Sequence, residues 1–173
     1  MGGIRLVPFH FQAHRALLPR LVTRLERVFA RDVRVEPATF DPETLFDPSR
    51  GQYNSTLALG KLLVEPGDEE KVLGLTAVDL FIPVLTYVFG EAQLDGRAGV
   101  VSVLRLDPRT YGLPPDEPLL LDRLIKEAVH ELGHTFGLVH CPDPWCTMHA
   151  STYAEEIDLK GAELCPRCAR AVR

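Results

Sequence analysis

The spacing of apolar residues changes along the chain, and the changes mark out its elements. Ile4 to Phe9 is almost continuously apolar and predicts a first strand. Leu18, Leu21, Val22, Leu25, Val28 and Phe29 then recur at helical spacing, with Pro19 in the first turn or at a kink. Asp32 to Glu36 alternates and predicts a second strand. The segment from Pro37 to Gln52 carries three prolines and two Asp-Pro pairs and reads as a loop. Residues 54–64 predict a second helix stopped by Pro66-Gly67. Three β-rich runs follow: Val72 to Phe81, Tyr87 to Gln93 and Ala98 to Leu106, punctuated by Gly90, Gly96 and Gly99. A proline-rich loop, Asp107 to Pro118, leads into a long helix from Leu119 to Phe136. The last 37 residues predict only one short helix, between Ala154 and Ala162.

Strands alternating with helices define an α/β fold. The runs at 72–81 and 98–106 lack strict alternation, as strands buried on both faces do. The run at 87–93 lies too close in sequence to its neighbours for parallel crossovers on both sides. The expected sheet is therefore twisted and mixed, with one antiparallel strand, backing helices and the long helix laid against it. Two parts are expected: residues 1–137, ending with the long helix, and a small C-terminal subdomain, residues 138–173.

A chain of 173 residues buries about 70% of its extended surface, enough for one ordinary core. Apolar residues make up 46% and charged residues 25%, which excludes disorder, collagen and coiled coil. No run approaches a membrane span. The start, Met-Gly-Gly-Ile-Arg, has neither signal-peptide nor myristoylation character, so a cytoplasmic chain is expected. The net charge of −5 argues against a nucleic-acid binder. The small basic cluster Arg167, Arg170 and Arg173 reads as a solvated tail.

All four cysteines, Cys141, Cys146, Cys165 and Cys168, fall near the C-terminus. Two short-spaced pairs flanking an 18-residue gap suit a tetrahedral four-thiolate zinc site. A second constellation lies just upstream, at His130-Glu131-Leu132-Gly133-His134-Thr135-Phe136-Gly137-Leu138-Val139-His140. At about 100° per residue from His130, His134 falls at about 40°, Glu127 at about 60° and Glu131 at about 100°. The apolar Leu121, Leu124, Ile125, Ala128, Val129, Leu132 and Phe136 cover the opposite side. One helix face thus packs on the sheet, while the other offers two imidazoles to a metal and a carboxylate to a water on it. Gly137 lets the chain leave the helix in a left-handed conformation, so His140 can return as a third ligand. Zinc held by three neutral imidazoles keeps a position for water and lowers its pKa. With Glu131 as proton acceptor, these parts suit amide hydrolysis.

This motif followed by Met148 resembles that of the metzincin metallopeptidases. It is most similar to the archaemetzincin family, whose pattern reads H-E-x-x-H-x-x-G-x3-C-x4-C-x-M, followed by C-x-x-C. Here the matching residues are His130, Glu131, His134, Gly137, Cys141, Cys146, Met148, Cys165 and Cys168. Gln52-Tyr53-Asn54-Ser55 and Tyr87-Val88-Phe89-Gly90 are similar too, though less specific. The resemblance implies catalytic zinc on His130, His134 and His140, Glu131 as general base, and Met148 in a methionine turn as the floor of the site. It also implies a structural zinc on the four cysteines, making two zinc ions per chain, and a peptide as substrate.

Neighbouring residues have plainer readings. Glu127 reads as a solvated or supporting carboxylate. His149, His10 and His14 are not expected to be ligands. Trp145, the only tryptophan, is expected to pack between the two metals, and Tyr153 is a weaker candidate for the cleft. If the 87–93 run is an edge strand, it can dock an extended peptide by strand addition. The resulting expectation is a monomeric zinc peptidase. The alternative is a zinc-ribbon-like binding protein with an inactive or incidental peptidase site.

Overall fold

Four strands with few charges build the centre. β1 (Ile4–Pro8), β5 (Lys71–Thr76) and β8 (Ala98–Ser102) pair in parallel, and β2 (Val33–Val35) joins β1 at one edge. β7 (Gly90–Ala92) closes the other edge and runs antiparallel to β8, giving the order β2-β1-β5-β8-β7. This is the mixed sheet with one reversed strand that the short connections demand. The structure is a computed structural model and describes residues 2–64 and 69–172. The expected Pro66-Gly67 stop and Arg173 lie outside the described residues.

The central strands present apolar side chains alternately to two layers. Ile4, Leu6, Leu73, Leu75 and Val101 face one core, while Val7, Val72, Ala98 and Val100 face the other. The first core is covered by α1 (Leu18–Phe29) and α3 (Glu117–Thr135), the second by α2 (Ser55–Leu63). Pro19 does sit in the first turn of α1. Asn54 caps α2 by accepting from the Leu57 N–H at 3.1 Å, and Asp116 caps α3 by accepting from Leu119 at 2.9 Å. Two short helices, α4 (Ala154–Leu159) and α5 (Pro166–Ala171), end the chain. Ala154, Ile157, Cys168 and Val172 belong to the same core cluster as α1 and α3. No helix among the described residues is long and apolar enough to cross a membrane.

Four sequence expectations need correction. The run 72–81 is not one strand. β5 stops at Thr76, and β6 (Leu80–Phe81) pairs instead with β4 (Gln52–Asn54), which pairs with β3 (Phe46–Asp47) in a separate three-stranded sheet. Asp79 anchors the departure: its carboxylate accepts from Arg105 at 2.6 and 2.8 Å and from Gln52 at 2.9 Å. Residues 37–52 are accordingly not all loop. The 87–93 run contributes only Gly90–Ala92 to the main sheet, because Val88 turns to bridge Leu80. The run 98–106 ends at Ser102, and Leu104–Leu106 is a 3-10 turn.

Candidate active site and metal centres

α3 carries His130 and His134 one turn apart, and the chain then reverses through Gly137, whose φ of 86° is left-handed as expected. The reversal brings His140 back over the helix. The ring centroids lie 4.7 Å (His130–His134), 5.2 Å (His130–His140) and 5.1 Å (His134–His140) apart. Each imidazole offers a nitrogen within 4.8 Å of the other two.

Two backbone carbonyls set the helical rings. His130 Nδ1 is 2.9 Å from the Thr147 carbonyl, and His134 Nδ1 is 2.7 Å from that of Leu138. A carbonyl only accepts, so each Nδ1 carries the proton and each Nε2 keeps its lone pair. The two Nε2 atoms face each other at 3.1 Å. Two lone pairs at that distance repel unless a cation lies between them. Tetrahedral zinc with bonds of about 2.0–2.1 Å sets ligand nitrogens about 3.3 Å apart. The donor set therefore fits zinc. Burial lowers the pKa of His130 well below its usual value and lowers that of His134, keeping both neutral.

Glu131 points towards the edge strand. It is 6% exposed, and its pKa is raised well above the usual carboxylate range, first by burial and then by Glu127. Gly90 makes room for it. A Cβ at Gly90 would stand 2.8 Å from Glu131 Cγ, 2.9 Å from its Oε1 and 2.6 Å from the Val100 carbonyl oxygen. Gly90→Ala should displace the carboxyl and lower activity at least about tenfold, since a shift of 1 Å in a reacting group can cost 10²-fold. Steady-state kinetics beside a thermal melt check this; unaltered kcat would show that Glu131 is not held by this contact.

Met148 is fully buried under α3. Gly133 admits it, because a Cβ there would collide with Met148 Sδ. The adjacent Thr147 hydroxyl lies 2.9 Å from the carbonyl oxygens of Gly161 and Glu163, pinning the segment whose own carbonyl holds His130.

The four cysteines also converge. Their sulfurs all lie within 4.8 Å of one another and none is in a disulfide. Cys141 Sγ and Cys165 Sγ are 3.9 Å apart, close to the roughly 3.8 Å edge of a tetrahedral zinc–thiolate site. Backbone N–H groups favour the thiolate of Cys165: the Cys168 amide first, and the pKa falls to about 7. Arg167 is exposed, and its Nη2 donates to Cys141 Sγ at 3.3 Å.

The cleft beside the imidazoles has a volume of ≈ 620 Å³. Its walls are the segment from Leu85 to Ala92 on one side and Ala150 to Tyr153 on the other. Trp145 is not packed between the sites: it is 74% exposed and contributes only its backbone, accepting from the Gly161 N–H at 2.9 Å. Glu127 is not solvated but buried against Lys160. His149 hydrogen-bonds the Cys141 carbonyl and His10 pairs with Glu43, both at 2.8–2.9 Å. His14 lies 3.9 Å from Asp107, away from the site. The sequence reading named Gly90 without its contact to Glu131, and it missed Lys160 and the two clamping carbonyls. Gly90 alone had a visible signal, as a glycine inside a strand.

A family model described as Peptidase family M54 matches residues 14–173. Fold, site and this match define a zinc metallopeptidase. The chain is 43% identical to the archaemetzincin of Methanocaldococcus jannaschii over 132 residues, covering 76% of this chain and 72% of the relative. The crystal structure of archaemetzincin from Methanopyrus kandleri superposes with a TM-score of 0.87 at 38% identity, over 99% of this chain and 93% of that one. A zinc-dependent peptidase from Methanocorpusculum labreanum matches with a TM-score of 0.87 at 30% identity, over 99% and 100%. The chain belongs to the archaemetzincin family.

Proposed function

We propose that the protein hydrolyses peptide bonds with one zinc on His130, His134 and His140, and Glu131 as general base. The observation that carries this reading is the pair of facing Nε2 atoms, held by the Thr147 and Leu138 carbonyls beside a buried carboxyl. When bound, zinc supplies Lewis acidity that acidifies a water and polarises the peptide carbonyl. The Thr147 and Leu138 carbonyls keep the imidazoles aligned, a backbone partner that raises ligand basicity. Glu131 takes the proton that the attacking water loses and hands it to the leaving amine. The outer edge of β7 offers backbone groups to an extended peptide by strand addition. Met148, in the position of a methionine turn, gives the rings a polarizable floor. Cleavage of a peptide mixture that is lost on chelation and restored by zinc tests the reading; zinc-loaded protein without cleavage would overturn it.

The four cysteines hold a second, structural zinc in this proposal. Two zinc ions per chain are therefore expected by elemental analysis of unchelated protein. Mild chelation should remove the imidazole-held ion first, because its site opens on the cleft, and leave the circular dichroism spectrum unchanged. A single zinc per chain would contradict this.

A further inference from the structure

Glu127 and Lys160 are buried charged side chains that the proposed chemistry leaves unused. They are 4% and 3% exposed, and both line the cleft beside the imidazoles. Glu127 Oε1 is 3.1 Å from Lys160 Nζ, yet off the alignment of a hydrogen bond, so this oxygen has no hydrogen-bond partner among the described residues. Lys160 Nζ donates to the His149 carbonyl at 3.1 Å. An ammonium has three N–H groups, so its capacity is not filled. Ser151 lines the same cleft, and its Oγ is likewise buried without a partner among the described residues. Buried polar groups rarely stay unmatched.

Charge decides what can match them. Wherever the proton sits, the Glu127–Lys160 pair is net neutral. A charged side chain placed against it would be buried without a counter-charge, and a carboxylate would also meet Glu131 and Glu91 on the cleft wall. An apolar side chain would strand the ammonium N–H, Oε1 and Oγ together. A neutral group with both a donor and an acceptor satisfies all three.

We propose that this recess is a specificity pocket for a neutral polar side chain of the peptide, a carboxamide (Asn or Gln) foremost. The carboxamide oxygen accepts from Lys160 Nζ and the Ser151 hydroxyl, and its NH2 donates to Glu127 Oε1. The inference rests on the peptidase reading, and the test separates the two. Cleavage of a peptide library by the zinc-loaded protein should enrich Asn and Gln roughly tenfold or more at one position near the scissile bond, since hydrogen-bonding pockets discriminate strongly. Lys160→Met should lose that preference and accept Leu or Met there. Should Lys160→Met fail to fold, Ser151→Ala, which removes the hydroxyl donor, should weaken the preference instead. Calorimetric binding of the same peptides to Glu131→Gln, which leaves the recess intact, should rank them in the same order. Cleavage without any preference for neutral polar residues, or a preference unchanged in the variant that folds, would overturn the pocket. Selective binding of carboxamide peptides to Glu131→Gln, with no cleavage by the wild type, would sustain the pocket and sink the peptidase reading.

Discussion

Glu131→Gln is expected to lower peptide hydrolysis by at least about 10²–10⁴-fold, the usual worth of general-base catalysis, while metal content and fold stay unchanged. The division of labour on α3 is the reason. His130 and His134 have their Nδ1 atoms tied to backbone carbonyls and their Nε2 atoms turned to one point. Glu131 is rotated off that direction, and its side chain packs against Gly90 of β7 and Gly99 of the adjoining β8. Glutamine keeps the shape, so these contacts survive, but it cannot accept a proton. Burial disfavours the charged form of this carboxyl, so a neutral amide of the same shape should not lower the melting temperature. Cleavage and zinc content measured on one preparation decide the matter. Near-normal cleavage with zinc retained would refute the role; lost zinc would make Glu131 a ligand instead.

The parts of the site visible in the sequence are those set by local geometry. The i, i+4 spacing of His130 and His134, the left-handed Gly137 and the return of His140 all follow from helix periodicity and one turn. The cysteine spacing announces its own convergence. The reversed β7 was legible because chain length forbids a parallel crossover there. What stayed hidden depends on contacts between segments distant in sequence. The Thr147 carbonyl meets His130 across 17 residues, and Lys160 meets Glu127 between two helices. Nothing in a Lys or a Thr marks it for such a partner. The small sheet was missed for a different reason. β3, β4 and β6 have only two or three residues each, too few to show a period, and the apolar run through Ala77 to Phe81 hides the point where Asp79 draws the chain away from β5.

Cys165→Ser is expected to destabilise the molecule far more than His140→Ala. Cys165 opens α5, and its sulfur meets those of Cys141, Cys146 and Cys168. Those thiols lie on both sides of Thr147 and Met148. Losing the fourth ligand therefore frees α5 and also the segment that clamps His130 and fills the space at Gly133. Cys146, Met148, Ile157 and Val172 belong to the core that α1 and α3 share, so the damage is not confined to the tail. Structural zinc contributes about 10–16 kcal/mol in isolated zinc fingers. Even a third of that would lower the melting temperature by roughly 10 °C in a chain of this size. His140 is exposed on a loop after Gly137, and its loss leaves every core contact in place. His140→Ala should thus melt within about 2 °C of wild type while losing the imidazole-held zinc. Thermal melts of both variants, with zinc measured before heating, are the check. Equal losses of melting temperature would mean that the cysteine centre does not support the fold in the way its position in the core implies.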